Sequence, residues 1–178
     1  MPSGLADWTI YAISERLQDD RFPLTYHWGF VLDQSGSQDP RTIHGWVYDA
    51  QGERGQPWTF DFHVSADIKV PGSSPNFSGA VMLGIIDPRE EQHFRRVLGD
   101  VGILLTDGEN CRTWFERAIA ALERANLVQE GLTAEAVYQE MLVATKELIT
   151  EDAEKRNDLT PLSVLYQQAI PQFLLERG

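Results

Sequence analysis

Along the first half of the chain, short apolar runs are separated by turn-forming stretches, which is the pattern of β-strands. Residues 8–15, WTIYAISE, are rich in aromatic and β-branched types. Residues 25–33, TYHWGFVLD, follow a polar turn and a proline. DQSGSQDP is a turn-rich loop, RTIHGWVYD over 41–49 is a third strand, and AQGERGQP is a second loop. Residues 58–65, WTFDFHVS, alternate: Trp58, Phe60, Phe62 and Val64 fall on one face, and Thr59, Asp61, His63 and Ser65 on the other. That alternation predicts a half-buried antiparallel strand. The loose segment VPGSSPNFSG precedes a fifth strand at 80–87.

The period then becomes helical. Asp87 and Pro88 open a helix through EEQHFRRVLGDV, with acidic residues in the first turn, where they suit the helix dipole. ILLTDGEN leads into CRTWFERAIAALERANL, where Trp114, Ala118, Ala121, Leu122 and Ala125 share a face. Asn110 is the candidate N-cap, which puts Cys111 at the first helical position. Thr133 caps a further helix whose stripe is Val137, Tyr138, Met141, Leu142, Leu148 and Ile149. Asn157 and Asp158 break it, and Pro161 starts a last helix that Pro171 kinks or splits. Strands followed by helices predict an α+β fold, an antiparallel sheet with helices packed against it. We expect a main domain over 1–128 and a C-terminal helical extension over 129–178, packed on or beside it.

Composition narrows the partners. The 178 residues carry 27 Asp plus Glu against 15 Lys plus Arg, a formal net charge of −12, with no run of Lys and Arg. Nucleic acid and anionic membrane are therefore unexpected partners. No stretch approaches the ~20 apolar residues that span a bilayer. The N-terminus lacks the basic start and apolar run of a secretory signal, and a single cysteine suits a reducing compartment. Together these predict a cytoplasmic protein. The amphipathic C-terminal helices offer a route to a homodimer.

A thiol at a helix start has a specific chemistry. Unpaired backbone N–H groups and the dipole favour the thiolate, and the same N–H groups can receive an oxyanion. The alternative is a small buried hydrophobe. Of the four histidines, His27 and His44 lie in successive apolar strands, where they are either the thiol's partners or hydrogen-bonded core residues. His63 and His93 read as surface residues. One Cys and two His could hold zinc only with an added water, so neither a metal nor any other cofactor is expected. No phosphate-binding glycine motif is present. Acidic pairs such as Glu90 with Glu91 read as solvated faces. Trp8, Trp28, Trp46 and Trp58 read mostly as core, with one or two available to line an acyl pocket.

A His in a Tyr-His-Trp strand, a second His in the next strand, then Asn-Cys-x-x-Trp opening a helix resembles the circularly permuted papain-like enzymes, relatives of NlpC-type peptidases and lecithin–retinol acyltransferases. The matching residues are His27 with Trp28, His44, and Asn110, Cys111 and Trp114, within residues 8–128. The resemblance looks closest to an uncharacterised fungal family of that type. It implies that Cys111 attacks an acyl carbon, that His27 is base and then acid, and that His44 orients His27. The Cys111 N–H would help form an oxyanion hole with Tyr26, and Trp28 and Asn110 would contact substrate. The lipid-acting relatives carry a membrane-seeking C-terminal helix, whereas this chain ends in acidic helices. The implied function is thus thiol-dependent hydrolysis or acyl transfer on an amide- or ester-bearing small molecule or peptide. The alternative is an inactive binding module of the same fold.

Overall fold

A computed structural model describes residues 7–16, 26–35, 43–51, 59–65, 77–103 and 111–143. Five strands are present: β1 (Trp8–Arg16), β2 (Tyr26–Asp33), β3 (Gly45–Gln51), β4 (Thr59–Ser65) and β5 (Phe77–Ile86). They form one sheet in the order β4-β3-β2-β1-β5, with every pair antiparallel. The first four strands run as a meander. The fifth crosses back to pair with β1, so β1 is interior and β5 is an edge.

A central strand is buried on both faces, which is why β1 and β2 read as nearly continuous apolar runs. Ile10, Ala12, Phe30, Leu32, Tyr48 and Ala50 belong to the larger core cluster. Tyr11, Ile13, Val31 and Val47 belong to a second cluster, with Ile43, Phe77 and Ala80. Strict alternation along β1 and β2 therefore sends neighbouring residues to two cores. The β1–β5 ladder slips between Ile10 and Tyr11, where Gly84 and Met82 are the partners. Leu83 is the extra residue of this bulge, and its carbonyl accepts the Gln129 N–H at 3.2 Å. An otherwise open edge is thus partly covered by a following segment.

Helices close the larger core. A 3-10 turn, Pro88–Glu90, is capped by the Asp87 side chain on the Arg89 N–H. It leads into α1 (Glu91–Asp100), which buries Phe94 and Leu98. α2 (Cys111–Arg124) buries Cys111, Trp114, Phe115, Ala118, Ile119 and Leu122, the i, i+3, i+4, i+7 spacing of one helix face. Phe115 stacks on Phe30, centroids 4.7 Å apart, and Trp114 meets Phe30 edge-on at 5.9 Å. α2 ends in a Schellman turn: Asn126 is left-handed (φ 57°), and the Leu127 N–H reaches Leu122 O at 3.0 Å. Residues 134–143 are helical (α3). Thr133 caps α3 as expected, its hydroxyl accepting the Ala136 N–H at 3.2 Å. Val137, Tyr138 and Met141 join the same core as α2. The α+β class is what the structure shows. The expected last helix, with Pro161 and Pro171, lies outside the described residues, as do Trp58 and Asn110.

The β2–β3 turn is held by Asp33, which is fully buried. Its carboxylate accepts from the Ser35 N–H, the Ser35 hydroxyl and the His44 N–H, at 3.1, 2.8 and 2.9 Å. Gly45 opens β3 against this turn, and a Cβ there would sit 1.8 Å from the Leu32 carbonyl oxygen. Backbone cannot yield as a side chain does, so Gly45→Ala should cost about 2–3 kcal/mol. At this chain length the melting temperature should fall by roughly 5–10 °C. An unchanged melt would show that the strands do not approach this closely.

Candidate active site

The β2–β3 ladder runs from Asp33↔Gly45 to Gly29↔Asp49. Beyond that last pair, His27 and Trp28 remain joined to β1, opposite Glu15 and Ser14, but no longer to β3. The two strands part at this point, and the imidazole of His27 lies beside Asp49. Nε2 and the Asp49 Oδ2 are 2.7 Å apart, with side-chain exposures of 16 % and 6 %. Gln51 Nε2 donates to the same oxygen at 3.1 Å. Asp49 Oδ1 is buried without a hydrogen-bond partner among the described residues. Gly29 makes room for this carboxylate, since a Cβ there would meet Asp49 Cβ at 3.0 Å and the Tyr48 carbonyl oxygen at 2.9 Å.

Cys111 is the first residue of α2 and is 5 % exposed. Its thiol is within hydrogen-bonding reach of the His27 ring. Burial works against a charge on His27. The hydrogen bond to Asp49, the hydrogen bond and charge of Cys111, and the charge of Asp49 outweigh it, and the imidazole pKa is pushed up to about 10. Carboxylate, imidazole and sulfur thus form a line of interacting groups. The first-turn N–H groups of α2 have no intrahelical acceptor, so partial positive charge gathers beside the sulfur.

Behind the line stands an aromatic wall. Trp28 packs on Phe115 (5.5 Å) and edge-on to Tyr138 (4.8 Å). Trp28 is thus a half-buried packing residue here, and Trp8 and Trp46 also pack against the core.

The sequence-predicted residues divide clearly. The structure brings Cys111 and His27 together. It does not bring His44 to them. His44 is exposed and precedes β3, and its N–H and carbonyl tie the far end of the hairpin to Asp33 and Gln34. In this register His44 lies opposite Gln34, seven strand positions from His27, or roughly 23 Å. The expected orienting role of His44 is therefore corrected: the partner of His27 is Asp49. A signal for Asp49 was present in the sequence. It is an acid inside WVYDA, and a carboxylate in an apolar strand needs a buried partner. Tyr26 lies in β2, but its side chain is outside the described residues, as is all of Asn110. His93 pairs with Glu90 at 3.2 Å on the surface of α1, and the side chain of His63 is not among those described. Among the described residues no group of three or more His, Cys, Asp or Glu is placed to hold a metal ion, and no helix is long and apolar enough to cross a membrane.

The fold and site define an α+β domain in which a half-buried imidazole interacts with a buried carboxylate and a buried thiol. The chain belongs to a family of unknown function, DUF6540, whose model matches residues 11–129 and so spans His27, Asp49 and Cys111. No curated protein matches the chain, and no solved structure does.

A raised imidazole pKa means that the folded state holds the proton more tightly than the unfolded chain. That stabilisation is complete below about pH 6.5 and is lost as the pH rises through about 10. Asp49→Ala strands a buried imidazolium and should cost about 3 kcal/mol at pH 6 in urea denaturation. The gap from wild type should narrow markedly by pH 10.5, where the ring is neutral. A gap independent of pH would show that His27 is uncharged in the folded protein.

Proposed function

We propose that this chain is a cysteine hydrolase or acyltransferase of the permuted papain-like type. Cys111 is the nucleophile, His27 the base and acid, and Asp49 the residue that orients His27. The observation that carries the reading is the placement of one imidazole between a buried carboxylate and a thiol at a helix start. In a resting thiolate–imidazolium pair, the Cys111 sulfur attacks the carbonyl carbon of an amide or ester. The developing oxyanion is received by the N–H groups of the first turn of α2. The His27 imidazolium gives a proton to the departing amine or alcohol, and a thioester remains on Cys111. Water or an acceptor nucleophile then loses a proton to His27 and attacks the thioester, which releases the acid or the new ester or amide and restores the thiolate. Asp49 holds the ring on its Nε2 side throughout. The substrate is an amide- or ester-bearing small molecule or peptide, and the strongly acidic chain disfavours polyanions.

One observation favours a second reading, an inactive binding module of the same fold: Cys111 is only 5 % exposed. Alkylation separates the two. As an enzyme, the native protein should react with iodoacetamide at Cys111 well below the pH ~8.5 of an ordinary thiol. His27→Ala should slow that reaction at pH 6 by about tenfold or more, and Asp49→Asn by less. A thiol that reacts only after denaturation would sink the enzymatic reading and leave the binding module.

A further inference from the structure

Tyr138 of α3 touches the sequence neighbour of each reacting residue. Its ring packs edge-on to Trp28, which follows His27, at 4.8 Å. The guanidinium of Arg112, which follows Cys111, lies over the same ring 4.5 Å from its centroid. The phenol donates to Glu116 Oε1 at 3.1 Å, and Arg112 Nε donates to that same oxygen at 3.2 Å. Phe115 lies 6.1 Å from the Tyr138 ring and 5.5 Å from that of Trp28. One aromatic side chain, itself 5 % exposed, therefore joins the parting end of β2 to the first two turns of α2.

This junction coincides with the place where β2 has left β3. Residues 27 and 28 are held by ladder bonds on the β1 side only. Beside the Asp49 hydrogen bond and the contacts of α2 on Phe30, the packing between β2 and α2 at Trp28 is thus a further constraint on where the His27 ring meets Cys111. Burial, then the charge of Glu116, raise the phenol pKa of Tyr138, so it stays a donor across the working pH range.

We infer that Tyr138 is a positioning residue for the Cys111–His27 pair, and that α3, which lies beyond the family match at residue 129, is a working part of the site. The inference rests on the proposed thiolate–imidazolium chemistry and adds a residue to it. The ring, more than the hydroxyl, carries the effect, because it is the ring that meets Trp28 and Arg112.

The test is the pH profile of Cys111 alkylation by iodoacetamide in the full chain, with folding followed by circular dichroism. Tyr138→Phe keeps the ring and should stay within about threefold of wild type at pH 6. Tyr138→Leu should slow alkylation at pH 6 by about tenfold or more, since a misplacement of about 1 Å can cost a hundredfold. The shape of its pH profile should also differ from that of the wild type. If the leucine variant does not fold, Tyr138→Met, whose flexible chain refills the space, is read in its place. A folded leucine or methionine variant with the wild-type profile overturns the proposal, as does failure of both to fold, which would make the ring a general core residue. A wild-type profile indifferent to His27→Ala removes the underlying reading, and the proposal with it. A normal response to His27→Ala with an unmoved Tyr138→Leu removes the proposal alone.

Discussion

The His27–Asp49 hydrogen bond ties the candidate site to the register of two strands. A carboxylate and an imidazole, both largely out of water, are tolerated together because each supplies what burial takes from the other. That bargain holds only if Gly29 faces Asp49, and Gly29 faces Asp49 only if Asp33 and Gly45 fix the far end of the hairpin. A slip of one residue would turn Asp49 toward the helix-facing core and bring Tyr48 to its place. The placement of His27 beside Asp49 therefore depends on strand pairing at the other end of the β2–β3 ladder.

Helix α2 meets that constraint from the other side. Its buried face runs from Cys111 through Phe115 and Trp114 to Leu122, so the contacts that seat the helix on Phe30 also fix where its first residue lies. Packing and chemistry share one helix face. This explains why the thiol is buried: it is the end of an apolar stripe that happens to finish beside an imidazole. Tyr48 extends the same logic toward α1, with its ring against Phe94 at 5.3 Å and its hydroxyl on Glu91 Oε1 at 3.3 Å.

Much of this is legible in the residues. The five strands, the apolar face of α2, the Asp87 and Thr133 caps and the position of Cys111 follow from periodicity and capping chemistry, which are local. Register is not local. His27 and His44 sit in successive strands, and nothing within either strand says that the hairpin pairs Gly29 with Asp49 and so carries His44 to the opposite end. Asp49 could be suspected from its apolar surroundings, but its partner could not be chosen without that register. The crossing of β5 to β1 is hidden for the same reason, since antiparallel edges on either side of a meander present similar backbone groups. Tyr138 reads from sequence as one more position in an apolar stripe, and only the assembled core shows which two strangers it joins.

The proposed chemistry requires a charged imidazole between Asp49 and Cys111, and the 15N chemical shifts of the His27 ring report that charge directly. Titrated from pH 5 to 11, both ring nitrogens should keep imidazolium shifts through neutral pH and change only with a midpoint near 10. A midpoint near 6.5, the value of an unperturbed histidine, with a neutral ring at pH 8, would show that Asp49 and Cys111 do not hold a charged imidazole between them.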